Sequence, residues 1–144
     1  MTLVMKFGGT SVGDAAAIRQ VASLVRSTLP QSPLVVLSAM ARVTNALFDA
    51  GQVAKLGDVQ RALDRKDEIL RWHLDAAREL FGGSVPDGLR ARIAELFDEL
   101  EVLVRGVAML RELTPRSMDA LASVGERLSS RLVVEYLRSE QIPC

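Results

Sequence analysis

Two kinds of hydrophobic pattern divide the chain. Near the N-terminus, residues 2–7 (TLVMKF) and 34–37 (LVVL) are short apolar runs, the first closed by Gly8-Gly9 and the second preceded by Pro33. Such runs, bounded by glycine or proline, predict buried strands. Between them Ile18, Val21, Ala22, Val25 and Leu29 recur at helical spacing, with Asp14 in place as N-cap and Pro30 as stop. Strand, helix, strand is a βαβ unit with a right-handed crossover. Strands apolar on both faces further predict a parallel sheet covered by helices.

From Val43 onward the period changes to that of helices. Residues 58–81 carry Val59, Ala62, Leu63, Ile69, Leu70, Leu74, Ala77 and Leu80 on one stripe, with Asp67 and Arg71 spaced as an i,i+4 pair on the other face. Gly82-Gly83-Ser84 breaks this helix, and Pro86-Asp87 starts the next. That next stripe runs through Leu89, Ile93, Leu96, Phe97, Leu100, Val104, Val107 and Leu110. The two segments read as a long antiparallel helical hairpin over about 57–113, whose apolar stripes need each other or a shared partner. Thr114 as N-cap and Pro115 at the first helical position begin a last helix, after which residues 142–144 read as the start of a further strand.

Composition fits one globular unit. The 144 residues are 49% hydrophobic and 25% charged, which excludes a disordered chain. Lys+Arg and Asp+Glu both total 18, so the charge balance offers no reason to expect nucleic acid or an anionic membrane as partner. No stretch approaches the ~20 apolar residues of a membrane-spanning helix. The single cysteine, Cys144, excludes an internal disulfide framework and a zinc cage of several thiolates. A cytoplasmic, reducing compartment suits that cysteine usage.

Three places carry candidate chemistry. At the first strand end, Lys6-Phe7-Gly8-Gly9-Thr10-Ser11-Val12-Gly13 leads into a helix. Glycines let backbone N–H groups approach an anion, the following helix N-terminus adds partial positive charge, and Lys6 supplies a full one. That is the physics of a phosphate cradle; the same glycines also suit a plain tight turn. The Walker A spacing Gly8 to Gly13 lacks its Lys and hydroxyl, and no Gly-x-Gly-x-x-Gly is present. At the second strand end, Ser38 and Thr44 flank the first loop if the strands are parallel, placed to bind a small polar substrate. The plainer reading makes Thr44 an N-cap and Ser38 a turn residue. In the last helix, Gly125 implies close packing. Glu126 shares its face with Ala122, Ser129, Ser130 and Val133, a setting that predicts partial burial and a partner: a substrate amino group, or Arg127 or Arg131. His73 lies among leucines and reads as a packed residue, and Trp72 as a partly exposed packing residue. With one histidine and no nucleophile elbow there is no catalytic triad, and no metal-ligand spacing occurs.

Taken together these three segments resemble a known family. Lys6-Phe7-Gly8-Gly9-Thr10-Ser11-Val12 resembles the opening signature of aspartate kinases, within the amino acid kinase superfamily. Val35-Val36-Leu37-Ser38-Ala39-Met40-Ala41-Arg42-Val43-Thr44-Asn45-Ala46-Leu47 is similar to the family's second motif, and Val124-Gly125-Glu126-Arg127-Leu128-Ser129-Ser130 to its third. Arg42 departs from the glycine or lysine of many relatives.

The resemblance implies an α/β/α architecture with an incomplete, mainly parallel sheet, residues 1–144 being the N-terminal portion of a kinase domain. The nucleotide lobe and regulatory domains would lie outside it. It also implies ATP, with Mg²⁺, and L-aspartate as partners. Lys6 would be catalytic, set against the phosphates with Gly8, Gly9 and Thr10; Ser38, Thr44 and Glu126 would bind aspartate. The family reaction makes aspartyl β-phosphate, the first step toward lysine, threonine and methionine. Phosphoryl transfer asks for positioning and charge stabilisation, which a site of lysine, glycines and hydroxyls can supply. The chain alone is expected to be inactive. Two alternatives stand beside this: an assembly module forming a homo-oligomer through exposed helices or an open sheet edge, and a kinase for another substrate such as glutamate or a carbamate.

Overall fold

A computed structural model describes residues 3–144. Met1 and Thr2, where the first predicted strand begins, lie outside the described residues. Strands β1 (Val4–Phe7) and β2 (Leu34–Leu37) pair in parallel, Val4 opposite Leu34 and Phe7 opposite Leu37. The crossover between them is α1 (Ala15–Thr28), whose N-cap Asp14 accepts from the Ala17 N–H at 2.8 Å. Short 3₁₀ turns, Gly9–Val12 and Leu29–Gln31, join α1 to the strands.

Four helices follow: α2 (Val43–Lys55), α3 (Val59–Leu80), α4 (Asp87–Leu110) and α5 (Pro115–Ser139). Their starts follow cap chemistry. Asp58 accepts from the Arg61 N–H at 3.1 Å, and Thr114 from the Ser117 N–H at 3.1 Å. The turn between α3 and α4 uses Gly82 and Gly83 at φ 70° and 103°, values that side-chain-bearing residues rarely adopt. The predicted helical hairpin is therefore present, and its stripes share partners: α2 packs on α3, α4 and α5. Leu47, Ile69, Leu100, Leu121 and Leu128 are wholly buried among these helices, as is Ile18 of α1. Each contributes roughly 1.5–3 kcal/mol of burial.

Three expectations are corrected. The sheet is covered on one face only by the described residues. Met5, Phe7, Val35 and Leu37 pack on the helices, while Val4, Lys6, Leu34 and Val36 are exposed. Alternation along the strands, period two, decides this, although the run itself looks apolar throughout. Asp67 does not pair with Arg71. Lys66 reaches Asp67 at 3.3 Å and Glu101 of α4 at 2.8 Å, so the charge is drawn across the hairpin. Finally, residues 142–144 form no strand. Gln141 turns left-handed at φ 58°, the Ile142 N–H donates to the Leu137 carbonyl at 2.9 Å, and Ile142 is buried as the apolar anchor that ends α5.

Candidate functional site

Parallel pairing brings the carboxyl ends of both strands to one edge of the sheet. The Ser38 N–H donates to the Phe7 carbonyl at 3.0 Å, so the loop after β1 and the loop after β2 leave side by side. They touch: a Cβ on Gly9 would lie 3.1 Å from the Ala39 carbonyl oxygen, and one on Gly13 would lie 3.1 Å from the Ala41 Cβ. Close packing thus favours glycine at positions 9 and 13. Gly8 is different. A Cβ there would meet nothing within 4 Å, and its backbone is extended, at φ −76° and ψ 176°. Neither packing nor conformation within the described residues calls for glycine at position 8.

The anion-binding physics at this loop also shifts. The Asp14 carboxylate caps the N-terminus of α1 by accepting from the Ala17 N–H, which offsets part of the positive charge there. Further donors lie earlier. The N–H groups of Gly9 and Thr10, first in the 3₁₀ turn, find no acceptor among the described residues. Lys6 is exposed on the open sheet face, opposite Val36, and forms no ion pair among the described residues. Thr10 is exposed at the same edge.

Helix α5 closes the other side of this corner. Gly125 sits where α5 crosses α2 and the β2 loop: an added Cβ would lie 3.0 Å from Leu47 Cδ1 and 3.1 Å from both Ala39 Cβ and Val43 Cγ1. The predicted close packing at Gly125 is present. One turn on, the buried Ser129 hydroxyl donates to the Ser38 carbonyl at 2.6 Å. This bond spans 91 positions of sequence and ties α5 to the end of β2. Sequence reasoning placed Ser129 only on a small, weakly polar face; its spacing of four from Gly125 was the available signal.

Glu126 departs from its expectation. The buried side of the helix is that of Gly125 and Ser129, and Glu126 itself is exposed. Arg127 does not neutralise it, because both terminal guanidinium nitrogens donate to the Glu99 carboxylate of α4, Nη1 to Oε2 at 2.8 Å. That pair holds the Glu99 carboxyl below its ordinary range and raises the Arg127 guanidinium, chiefly through the hydrogen bonds themselves. Glu126 lines a cleft of about 380 Å³ with Leu37, Ser130 and Arg131, beside the end of β2. Its carboxylate has no ion-pair or hydrogen-bond partner among the described residues. Ser38 and Thr44 do not line that cleft, though their neighbours Ala39 and Val43 touch Gly125. Thr44 is not the N-cap of α2; Arg42 is, at φ 70°, and Thr44 falls in the first turn. The Ser38 and Thr44 hydroxyls are half-buried with no hydrogen-bond partner among the described residues.

Away from this corner, His73 is packed as predicted. It is wholly buried in the hairpin, Nδ1 lies 2.8 Å from the Ile69 carbonyl, and the ring meets Phe97 edge-on. Its Nε2 has no partner among the described residues, and burial lowers its pKa. No group of three or more His, Cys, Asp or Glu side chains is placed to hold a metal among the described residues. No helix among them is long and apolar enough to cross a membrane.

Comparison with known proteins identifies the family. The profile of the amino acid kinase family matches residues 1–144. The chain belongs to that family. Among curated amino acid kinase relatives, Aspartokinase 3, chloroplastic, of Arabidopsis thaliana is 44% identical over 140 residues, covering 95% of this chain and 24% of its own length. Lysine-sensitive aspartokinase 3 of Escherichia coli is 34% identical over 97% of this chain and 29% of its own. The chain therefore spans about a quarter of the length of the curated relatives it matches. Crystal structures of E. coli aspartokinase III, one with lysine and aspartate and one with aspartate and ADP, superpose with a TM-score of 0.82 at 31% identity. They cover 99% and 98% of this chain and 30% of theirs. The helix-rich fold with a small parallel sheet is that of an amino acid kinase.

Proposed function

We propose that residues 1–144 form the amino-acid half of an aspartate kinase site, the N-terminal portion of a kinase domain. The observation that carries this reading is that polar side chains after β2 and on the part of α5 packed beside it have no protein partners among the described residues. The Ser38 and Thr44 hydroxyls and the Glu126 carboxylate lack partners there, whereas Glu99, Arg127 and Asp14 are all engaged. Polar groups left open in an otherwise well-paired fold suit a ligand that completes them. Glu126 would take the aspartate ammonium, and the hydroxyls of Ser38 and Thr44 would accept or donate to its carboxylates. Both solved relatives hold aspartate, which supports the choice of substrate.

The first loop fits a nucleotide's phosphates. Unpaired N–H groups at Gly9 and Thr10 lie at the open edge, Gly8 leaves its flank bare, and Lys6 brings a full positive charge. ADP in one relative agrees with ATP as donor. In the whole protein a β-carboxylate oxygen of aspartate attacks the γ-phosphorus, and the bond to the β-phosphate oxygen breaks to release ADP. Lys6 would hold the phosphates and offset charge as the phosphoryl group moves. Mg²⁺ would accompany the phosphates, with its protein ligands outside the described residues. We place the protein in the cytoplasm, in keeping with its cysteine usage.

The test is a titration of the chain with L-aspartate, followed by amide NMR. Shifts are expected at residues 38, 44 and 126, weakened about tenfold or more in Glu126→Gln, since a hydrogen bond to a charged group is worth about 1.5–3 kcal/mol. Shifts absent from the strand-end loops would sink the assignment. The chain alone is expected to form no aspartyl hydroxamate with ATP. A second reading rests on the exposed apolar sheet face of Val4, Leu34 and Val36, which suits self-association. Sedimentation that depends on concentration, without aspartate binding, would favour it.

A further inference from the structure

The loop from β2 into α2 is braced from outside the site. Arg42 occupies φ 70° and ψ −17°, in the left-handed region that favours glycine. Its guanidinium lies over the ring of Trp72 in α3, 5.1 Å from the centroid. Trp72 is half-buried and packs against the core, so the ring is a fixed platform. Acidic neighbours do not compete for the cation. Asp14, Asp75 and Glu79 line the same cleft, but Asp14 caps α1 through the Ala17 N–H, Asp75 binds Arg78 at 2.7 Å and Glu79 binds Arg19 at 3.2 Å. Arg42 itself has no ion pair among the described residues.

The backbone of Arg42 sets the start of α2. Its carbonyl accepts from the Ala46 N–H at 3.0 Å, and the next N–H, that of Val43, returns to the Met40 carbonyl at 3.1 Å. Thr44 follows two residues after the left-handed turn. We propose that Arg42 and Trp72 are a positioning pair: the aromatic face of the helical hairpin holds Arg42 in a conformation its own backbone disfavours, and so orients the turn that presents Ser38 and Thr44. A cation over an aromatic face is attracted by the ring quadrupole. The pair gives the hairpin a role at the site, through contact with the loop rather than with substrate. The consequence for aspartate rests on the substrate reading above; the conformational role does not.

Amide hydrogen exchange at Val43 and Ala46 in the chain tests the pair. Arg42→Ala removes the cation but keeps a Cβ at positive φ, and exchange there is expected to quicken about threefold to tenfold. Arg42→Gly also removes the cation yet adopts the turn freely, so protection stays within about twofold of the parent. Trp72→Leu should loosen the loop as Arg42→Ala does, and adding Arg42→Gly to it should restore protection. Equal exchange in Arg42→Ala and Arg42→Gly would overturn the proposal, and these variants leave the Trp72 core contact intact. Failure of glycine to rescue Trp72→Leu would overturn it as well, by reducing Trp72 to a packing residue. Aspartate affinity should fall about threefold in Arg42→Ala and recover in Arg42→Gly. No aspartate binding by the parent chain would refute the substrate reading while the exchange data still judge the pair.

Discussion

The strand-end corner and the helical hairpin treat polar groups in opposite ways. Along the hairpin several charged groups are drawn into pairs between turns and helices: Lys66 and Arg105 bind Glu101, and Arg127 of α5 binds Glu99, with the buried His73 Nε2 an exception. At the corner, Ser38, Thr44, Glu126 and Lys6 are left open among the described residues. The glycines divide similarly. A Cβ added to Gly125 would meet three neighbours at 3.0–3.1 Å, whereas one at Gly8 would face open space. One region uses its chemistry to hold itself together; the other keeps its chemistry available. The contrast also shows why the corner needs the hairpin. Open groups keep their positions only when surrounding contacts hold the backbone, and Ser129, Gly125 and Trp72 supply those contacts.

The contrast can be broken most forcefully in the core. Leu128→Ala removes a wholly buried side chain from α5 and should cost about 2–5 kcal/mol in urea unfolding. A loss below that range would mean the helices relax more readily than their packing implies. The two glycines come next. Alanine at Gly125 gains about 1 kcal/mol of helix propensity, against about 1–3 kcal/mol of crowding from Ala39 and Val43. Net destabilisation near 1 kcal/mol and weaker aspartate binding are expected. Alanine at Gly8 should leave stability unchanged or raise it by up to about 1 kcal/mol, because its backbone already suits alanine. ADP binding in the whole protein should suffer. Equal thermal melts for the two variants would erase the distinction.

A third effect is a dependence on pH. Burial lowers the His73 pKa below its ordinary value, so the unfolded chain binds a proton that the folded chain resists. Stability from this group is complete above about pH 6.5 and falls as pH drops below it, by at most ~1.4 kcal/mol per pH unit. His73→Leu should flatten that limb in unfolding measured from pH 7.5 to 5.5. A limb unchanged by the substitution would assign it to other groups. The smallest effect is at the hairpin surface. Glu99→Gln loses a half-exposed ion pair worth about 0.5 kcal/mol. Its contribution is present above the ordinary glutamate range and fades as pH falls through the lowered Glu99 value, so parent and variant should converge in acid.

Much of the helical frame was legible because its signals are local. Asp14, Asp58 and Thr114 cap the helices that their positions predict, and Gly82-Gly83 makes the turn of the hairpin. The family motifs pointed to candidate residues, and parallel pairing brings the two strand-end loops together. Side-chain environment was less legible. Glu126 lies one position from Gly125 and three from Ser129, so helical spacing alone could not choose which neighbouring face is buried. The Arg42 turn looked like a plain departure from a motif, since its partner Trp72 is distant in sequence. Local rules also gave Thr44 the cap position that the left-handed Arg42 takes.

By itself, the sequence determined most of the order of elements, the caps of α1, α3 and α5 and the family, because caps, turns and short motifs act between residues close along the chain. Tertiary structure decided which groups stay open. Ser129 reaches Ser38 across 91 positions, Gly125 admits Ala39 and Val43, and Arg127 turns to Glu99 and leaves Glu126 free. Whether a polar atom is satisfied depends on what the fold brings within about 3 Å of it, and most of those neighbours come from elsewhere in the chain.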